Sequence, residues 1–156
     1  MELTNFTDIY IERCDKESEN LLTEEGAEFL DQPIEYLAKN KNEFIYFEAN
    51  EFDQLGVSGL SLEVDDVFGT YSVLLGLKLK KKVGPAIKSY LDNELHGNEG
   101  KYSLMFNQDD GLWDLNFALS YVEGFNEQLS IKDSYQLICN FLSNMIQSVE
   151  THIQHT

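Results

Sequence analysis

The chain has 156 residues, with 28 Asp and Glu against 11 Lys and Arg, for a formal net charge of −17. Its length suits one domain, and 42% hydrophobic residues with 10 Phe and 8 Tyr exclude a disordered acidic tail. The negative field argues against nucleic-acid or anionic-membrane binding, because phosphates are repelled, and it favours a basic partner.

The charge is uneven along the chain. Residues 1–66 hold 18 acidic and 4 basic side chains, a net of −14, whereas residues 67–156 hold 10 and 7, a net of −3. Such a bias serves either as a solvated surface or as an acidic face that steers a basic partner. The first residues lack a basic stretch followed by an apolar run, and no segment approaches the ~18 apolar residues of a membrane span. The cytoplasm is therefore the expected compartment. Cys14 and Cys139 make no metal-type or redox-type pair, and Cys139 falls in an apolar helical pattern that predicts core packing. Asn5-Phe6-Thr7 matches a glycosylation sequon, but without a secretory signal it reads as chance.

Residues 1–22 read as an acidic N-terminal arm or an extra strand, with one alternating patch at Ile9-Tyr10-Ile11. The remainder, 23–156, reads as a single domain. Residues 23–39 suggest a helix: Thr23 is placed to cap it, Glu24, Glu25 and Glu28 complement its dipole, and Pro33 kinks it or marks a second start. Three strands are predicted next, at residues 44–47, 60–64 and 71–79. In the last, Tyr71, Val73, Leu75, Leu77 and Leu79 share one face.

Gly84-Pro85 opens a second helix, whose apolar stripe runs through Ile87, Tyr90, Leu91 and Leu95 toward a stop at Gly97. A hairpin is predicted from Tyr102, Leu104 and Phe106 on one arm and Trp113 to Tyr121 on the other. Asn107 to Gly111 supplies its turn. Ser130 and Asp133 form a capping-box-like start to a last helix carrying Ile131, Tyr135, Ile138, Leu142, Met145 and Val149. The fold class is thus α+β: a mainly antiparallel five-stranded sheet with helices on one face, in the order α-β-β-β-α-β-β-α after the arm.

Chemistry-bearing patterns are few. His152 and His155 have metal-ligand spacing but lie in a polar tail, and Asn107, Asp109 and Gly111 lack the distal carboxylate of a calcium loop. Asp65-Asp66 pairs two carboxylates after a strand, where acid–base or metal chemistry is conceivable and a turn is the plainer reading. Neither catalytic residues, a metal nor a cofactor is assigned. Lys78, Lys80, Lys81, Lys82 and Lys88 form a basic run that reads as a guard against edge-to-edge strand pairing, or as a patch for an acidic peptide. Lys81 and Lys82 precede a helix N-terminus, a poor electrostatic position. The sole Arg, Arg13, argues against an arginine clamp for phosphate or carboxylate.

The segments GTYSVLLGLKL (69–79), IKSYLDNELHGNEGKYSLMFNQDDGLWDLNFAL (87–119) and LSIKDSYQLICNFLSNMI (129–146) are arranged as in type III secretion chaperones, and residues 23–150 resemble that family in layout. The acidic 22-residue start, and Pro33 inside the first helix, depart from it. The resemblance implies a homodimer that holds and masks a partner protein without catalysis. A second reading, which needs no family, is an immunity or inhibitor protein that covers the active site of a basic toxin such as a nuclease. In either case Glu48, Glu51, Asp53, Glu63, Asp65 and Asp66 are the expected partner-binding residues.

Overall fold

A computed structural model describes residues 9–97 and 101–154, the side chains of residues 152–154 excepted. The Asn5-Phe6-Thr7 sequon and the side chains of His152 and His155 lie outside the described residues. Seven strands form one sheet: β1 (Tyr10–Asp15), β2 (Leu21–Glu25), β3 (Glu43–Glu48), β4 (Val57–Val64), β5 (Tyr71–Leu77), β6 (Tyr102–Asn107) and β7 (Leu112–Ala118). Their order is β2-β1-β3-β4-β5-β7-β6, and every neighbouring pair is antiparallel. The helices are α1 (Tyr36–Lys39), α2 (Glu51–Leu55), α3 (Gly84–Glu94) and α4 (Ile131–Gln154), with 3-10 turns at Ala27–Asp31, Lys81–Val83 and Leu119–Tyr121.

Alternation commits one face of the sheet to the core. The cross-strand row Ile45, Leu62, Val73 and Phe117 is buried, as is the row Phe47, Leu60, Leu75 and Leu115. The apolar stripe of α4 lies over these rows. Tyr135 meets Phe47 at 5.2 Å between ring centroids, and Phe141 stacks on Phe117 at 4.9 Å. Ser130 caps α4 as its sequence requires, its Oγ accepting the Asp133 N–H at 3.0 Å. Residues on the opposite face, among them Tyr46, Ser61, Leu74 and Asn116, are half-buried and border an open groove.

The sheet has seven strands rather than five, and the added β1–β2 hairpin takes in the start of the expected first helix. Thr23, Glu24 and Glu25 belong to β2 and do not cap a helix. The expected helix over 23–39 is reduced to the 3-10 turn at Ala27–Asp31 and the single turn of α1. Pro33 separates the two and bridges to Ser130 instead. The order of elements is therefore β-β-α-β-α-β-β-α-β-β-α.

What holds the hairpin is polar. The Arg13 guanidinium donates to Glu25 Oε2 at 2.6 Å, to Glu43 Oε1 at 3.0 Å and to the Tyr36 hydroxyl at 2.9 Å. The chain's one arginine thus ties β2, β3 and α1 together, and Glu25 and Glu43 hold it protonated above its ordinary range.

The lysine run also departs from expectation. β5 is an interior strand between β4 and β7, and the sheet edges are β2 and β6. Lys80, Lys81 and Lys82 sit in the turn leading into α3 rather than on an edge strand, and Lys81 reaches across to β6, its Nζ 5.8 Å from the Phe106 ring centroid. The helix they precede ends at Glu94, short of Gly97. Leu95 is extended and buried, and it bridges to Val122.

Candidate functional site

One end of the sheet gathers the terminus of β3, the starts of β4 and β7, and the end of β5. The register sets this meeting, pairing Val57 with Leu77 and Leu77 with Trp113. Helix α2 crosses the gap between β3 and β4. Gly56 ends it with φ +70°, a left-handed position where glycine is unstrained, and its N–H closes the helix on the Asp53 carbonyl. The result is a cleft of about 830 Å³ rimmed by Glu48, Asp53 and Asp110 and floored near Gly56, Ser58 and Gly59. Among the described residues Lys78 is the one base that lines it.

Each acid reaches the rim for a local reason. Glu48 is the last residue of β3, and its Oε1 accepts the Tyr46 hydroxyl at 2.6 Å. Burial, and then the Glu48 carboxylate, push that hydroxyl up to about 12, so it stays a donor at neutral pH. Tyr46 lies over β4 because Gly59 has no side chain. A Cβ there would sit 3.2 Å from the ring, and φ at Gly59 is +58°, inside the bulge between Ser58 and Leu60. Asp53 projects from α2 and is exposed. Asp110 sits in the β6–β7 turn, where its Oδ1 also accepts the Leu112 N–H at 3.0 Å.

The cleft continues into the groove of about 460 Å³ on the open face, Ser58 and Gly59 being shared by both. Tyr46, Leu74 and Met105 give this groove an apolar lining, with Asp114 beside them, and Met105 is 67% exposed. The whole forms a shallow track, acidic at one end and apolar along its length.

Of the six expected partner-binding acids, Glu48 and Asp53 come together here. The other four do not join them. Glu51 is buried, and its Oε1 accepts the Tyr135 hydroxyl at 3.0 Å, so it faces the core. Glu63 and Asp66 flank Lys16, whose Nζ lies 3.2 Å and 3.1 Å from their carboxylates. Asp65 Oδ1 accepts the Val67 and Phe68 N–H groups at 2.8 Å each, holding the turn between β4 and β5. Asp110 and Tyr10, which also line the cleft, are invisible to local pattern: they arrive through strand register, and Asp110 carries the composition of an ordinary hairpin turn.

No group of three or more His, Cys, Asp or Glu side chains suited to a metal ion occurs among the described residues. Both cysteines are buried and free, and burial raises the thiol of each above its ordinary value. No helix among the described residues is long and apolar enough to cross a membrane. Comparison with protein-family models, curated proteins and solved structures finds no match to this chain.

Proposed function

We propose that the protein is a non-catalytic binding module that holds and masks a basic protein partner against the acidic end of the open sheet face. The observation that carries this reading is the convergence of Glu48, Asp53 and Asp110 from three separate elements on one cleft, opposed by Lys78 alone among its lining residues. Carboxylates fixed on a rigid strand end, a short helix and a tight turn present a preorganised negative surface, which speeds encounter with cations and selects against anions. The adjoining apolar groove supplies contact area that charge alone does not. The paired carboxylates best suited to acid–base work, Asp65 and Asp66, are instead held in a turn and in an ion pair with Lys16.

Two roles fit such a module. A secretion-chaperone role follows the layout of the second half of the chain. An immunity role, in which the carboxylates cover the active site of a basic toxin such as a nuclease, is favoured by the β1–β2 hairpin. That hairpin takes the first three residues of the helix that opens the chaperone-like layout, and the rest of that helix is reduced to a 3-10 turn and the single turn of α1.

Isothermal titration with a lysine-rich peptide of about ten residues tests the shared claim. Binding is expected to weaken steeply as ionic strength rises and the Debye length shrinks from about 10 Å to about 3 Å. It is also expected to weaken in Asp53→Asn/Asp110→Asn but not in Asp65→Asn/Asp66→Asn. Equal loss in both double variants contradicts a located site and leaves only a general effect of net charge.

A further inference from the structure

Residues 67–91 hold five lysines and no Asp or Glu, a net of +5 inside a chain of net charge −17. Lys78, Lys80, Lys81, Lys82 and Lys88 are all exposed. Among the described residues none of the five makes an ion pair, whereas Arg13, Lys16 and Lys39 each hold one. The acids beside the run are engaged elsewhere. Asp92, the next acid along α3, accepts the Tyr102 hydroxyl at 2.9 Å, and Asp110 of the β6–β7 turn accepts the Leu112 N–H at 3.0 Å. In a chain with 28 acids, these ammonium groups are left to a charge outside the chain.

We propose that the lysine turn before α3 is a second binding surface, and that its occupant is a short, carboxylate-rich segment of another protein. The turn is held from within. The Trp113 Nε1–H donates to the Lys80 carbonyl at 3.2 Å, the Val83 N–H donates to the same oxygen at 3.2 Å, and the Gly84 N–H donates to the Lys81 carbonyl. Val83 and Gly84 are buried, so the backbone of Lys80 to Lys82 is anchored while its side chains stand in solvent. Three consecutive ammonium groups repel one another, and they stand at the positive end of α3, which costs stability in the free protein. A carboxylate-rich partner relieves both terms, and only in the complex.

The surroundings narrow the occupant. Lys81 Nζ lies 5.8 Å from the Phe106 ring centroid, and that half-buried ring packs edge-on against Trp113 at 5.1 Å. An aromatic surface thus borders the charges, and an apolar residue set among the carboxylates of the segment can rest on it. The surface also has a limit. Lys78 already lines the acidic cleft, two residues before Lys80. Duplex DNA, with one charge per ~1.7 Å of axis, would run past the lysines onto those carboxylates and be repelled, whereas a short segment covers the lysines alone.

The chain's one tryptophan lies under the turn and serves as a reporter. A peptide of about ten residues, Glu with two Leu, is titrated into the labelled full chain at about 0.1 M salt. It should move the Trp113 indole N–H and the amides of Lys80, Lys81 and Lys82 first. Lys81→Gln/Lys82→Gln should weaken binding about tenfold, the loss of two exposed ion pairs. Lys39→Gln/Lys41→Gln removes the same charge elsewhere and should change the affinity by less than about twofold.

No binding at that salt, or equal loss in the two double variants, overturns the proposal. Duplex DNA of about twelve base pairs that binds these lysines more tightly than the peptide overturns it in favour of nucleic acid. If Lys81→Gln/Lys82→Gln keeps its affinity for the peptide but aggregates, the run protects the β6 edge and the proposal falls. The acidic cleft is read separately, with a lysine-rich peptide, so either surface can fail without the other.

Discussion

The Tyr135 hydroxyl donates to the buried Glu51 carboxylate at 3.0 Å, joining α4 to α2 across 84 residues of sequence. The bond anchors the helix that carries Asp53, so the wall of the acidic cleft is fixed from inside the core. Phe52, next to Glu51, extends the same anchor, its ring centroid lying 6.2 Å from that of Tyr135.

Tyr135→Phe should therefore cost about 2 kcal/mol, the usual loss when a buried charged group is left without its donor. Glu51→Gln keeps an acceptor oxygen in place and should cost less. Urea denaturation at neutral pH checks the order; a Tyr135→Phe change below about 0.5 kcal/mol contradicts the anchor.

Gly84→Ala poses two effects of opposite sign. Alanine ordinarily gains about 1 kcal/mol over glycine within a helix. At Gly84, however, a Cβ would meet the Trp113 ring at 2.6 Å, and that buried ring is held by its Nε1–H to the Lys80 carbonyl at 3.2 Å. Overpacking costs about 1–3 kcal/mol, so destabilisation should win, and Trp113→Phe in the same chain should relieve part of it. A raised thermal midpoint for Gly84→Ala alone contradicts the crowding.

The strands β3 to β5, helices α3 and α4, and the β6–β7 hairpin are legible in the sequence because each sets apolar residues at period two or at helical spacing against a covered face. The β1–β2 hairpin is legible only in part. Ile9-Tyr10-Ile11 hints at the first of its strands, but the core-facing positions that follow are Arg13, Thr23 and Glu25, so the edge of the inner face is closed by an ion-paired cluster and no apolar alternation extends through β2. Thr23-Glu24-Glu25 has the composition of a helix start, and pairing with β1 overrides it. Glu51 reads as one more surface acid, because nothing near it in sequence reveals Tyr135. Asp110 joins Glu48 and Asp53 only through the register of β7 on β5 and of β5 on β4, a relation that no local window contains.

Stability should fall at high pH. Burial pushes the Cys139 thiol from its ordinary 9.0 up to about 12, and it pushes the Tyr46 and Tyr71 hydroxyls from 10.0 up to about 12. Between about pH 9 and about pH 12 the unfolded chain releases these protons while the folded chain keeps them, so stability falls as pH rises through that window. Below it the contribution is fully present. Urea midpoints should drop from about pH 8 to about pH 11, with a shallower fall in Cys139→Ala; level midpoints contradict the assignment.

The central claim is the location of binding, and amide chemical-shift mapping tests it most directly. A lysine-rich peptide titrated into the labelled full chain should move the amides of Glu48, Asp53, Gly56 and Asp110 first, with Gly59 and Met105 following along the groove. Shifts spread evenly over the acidic residues, or centred on Glu63, Asp65 and Asp66 around Lys16, contradict the account.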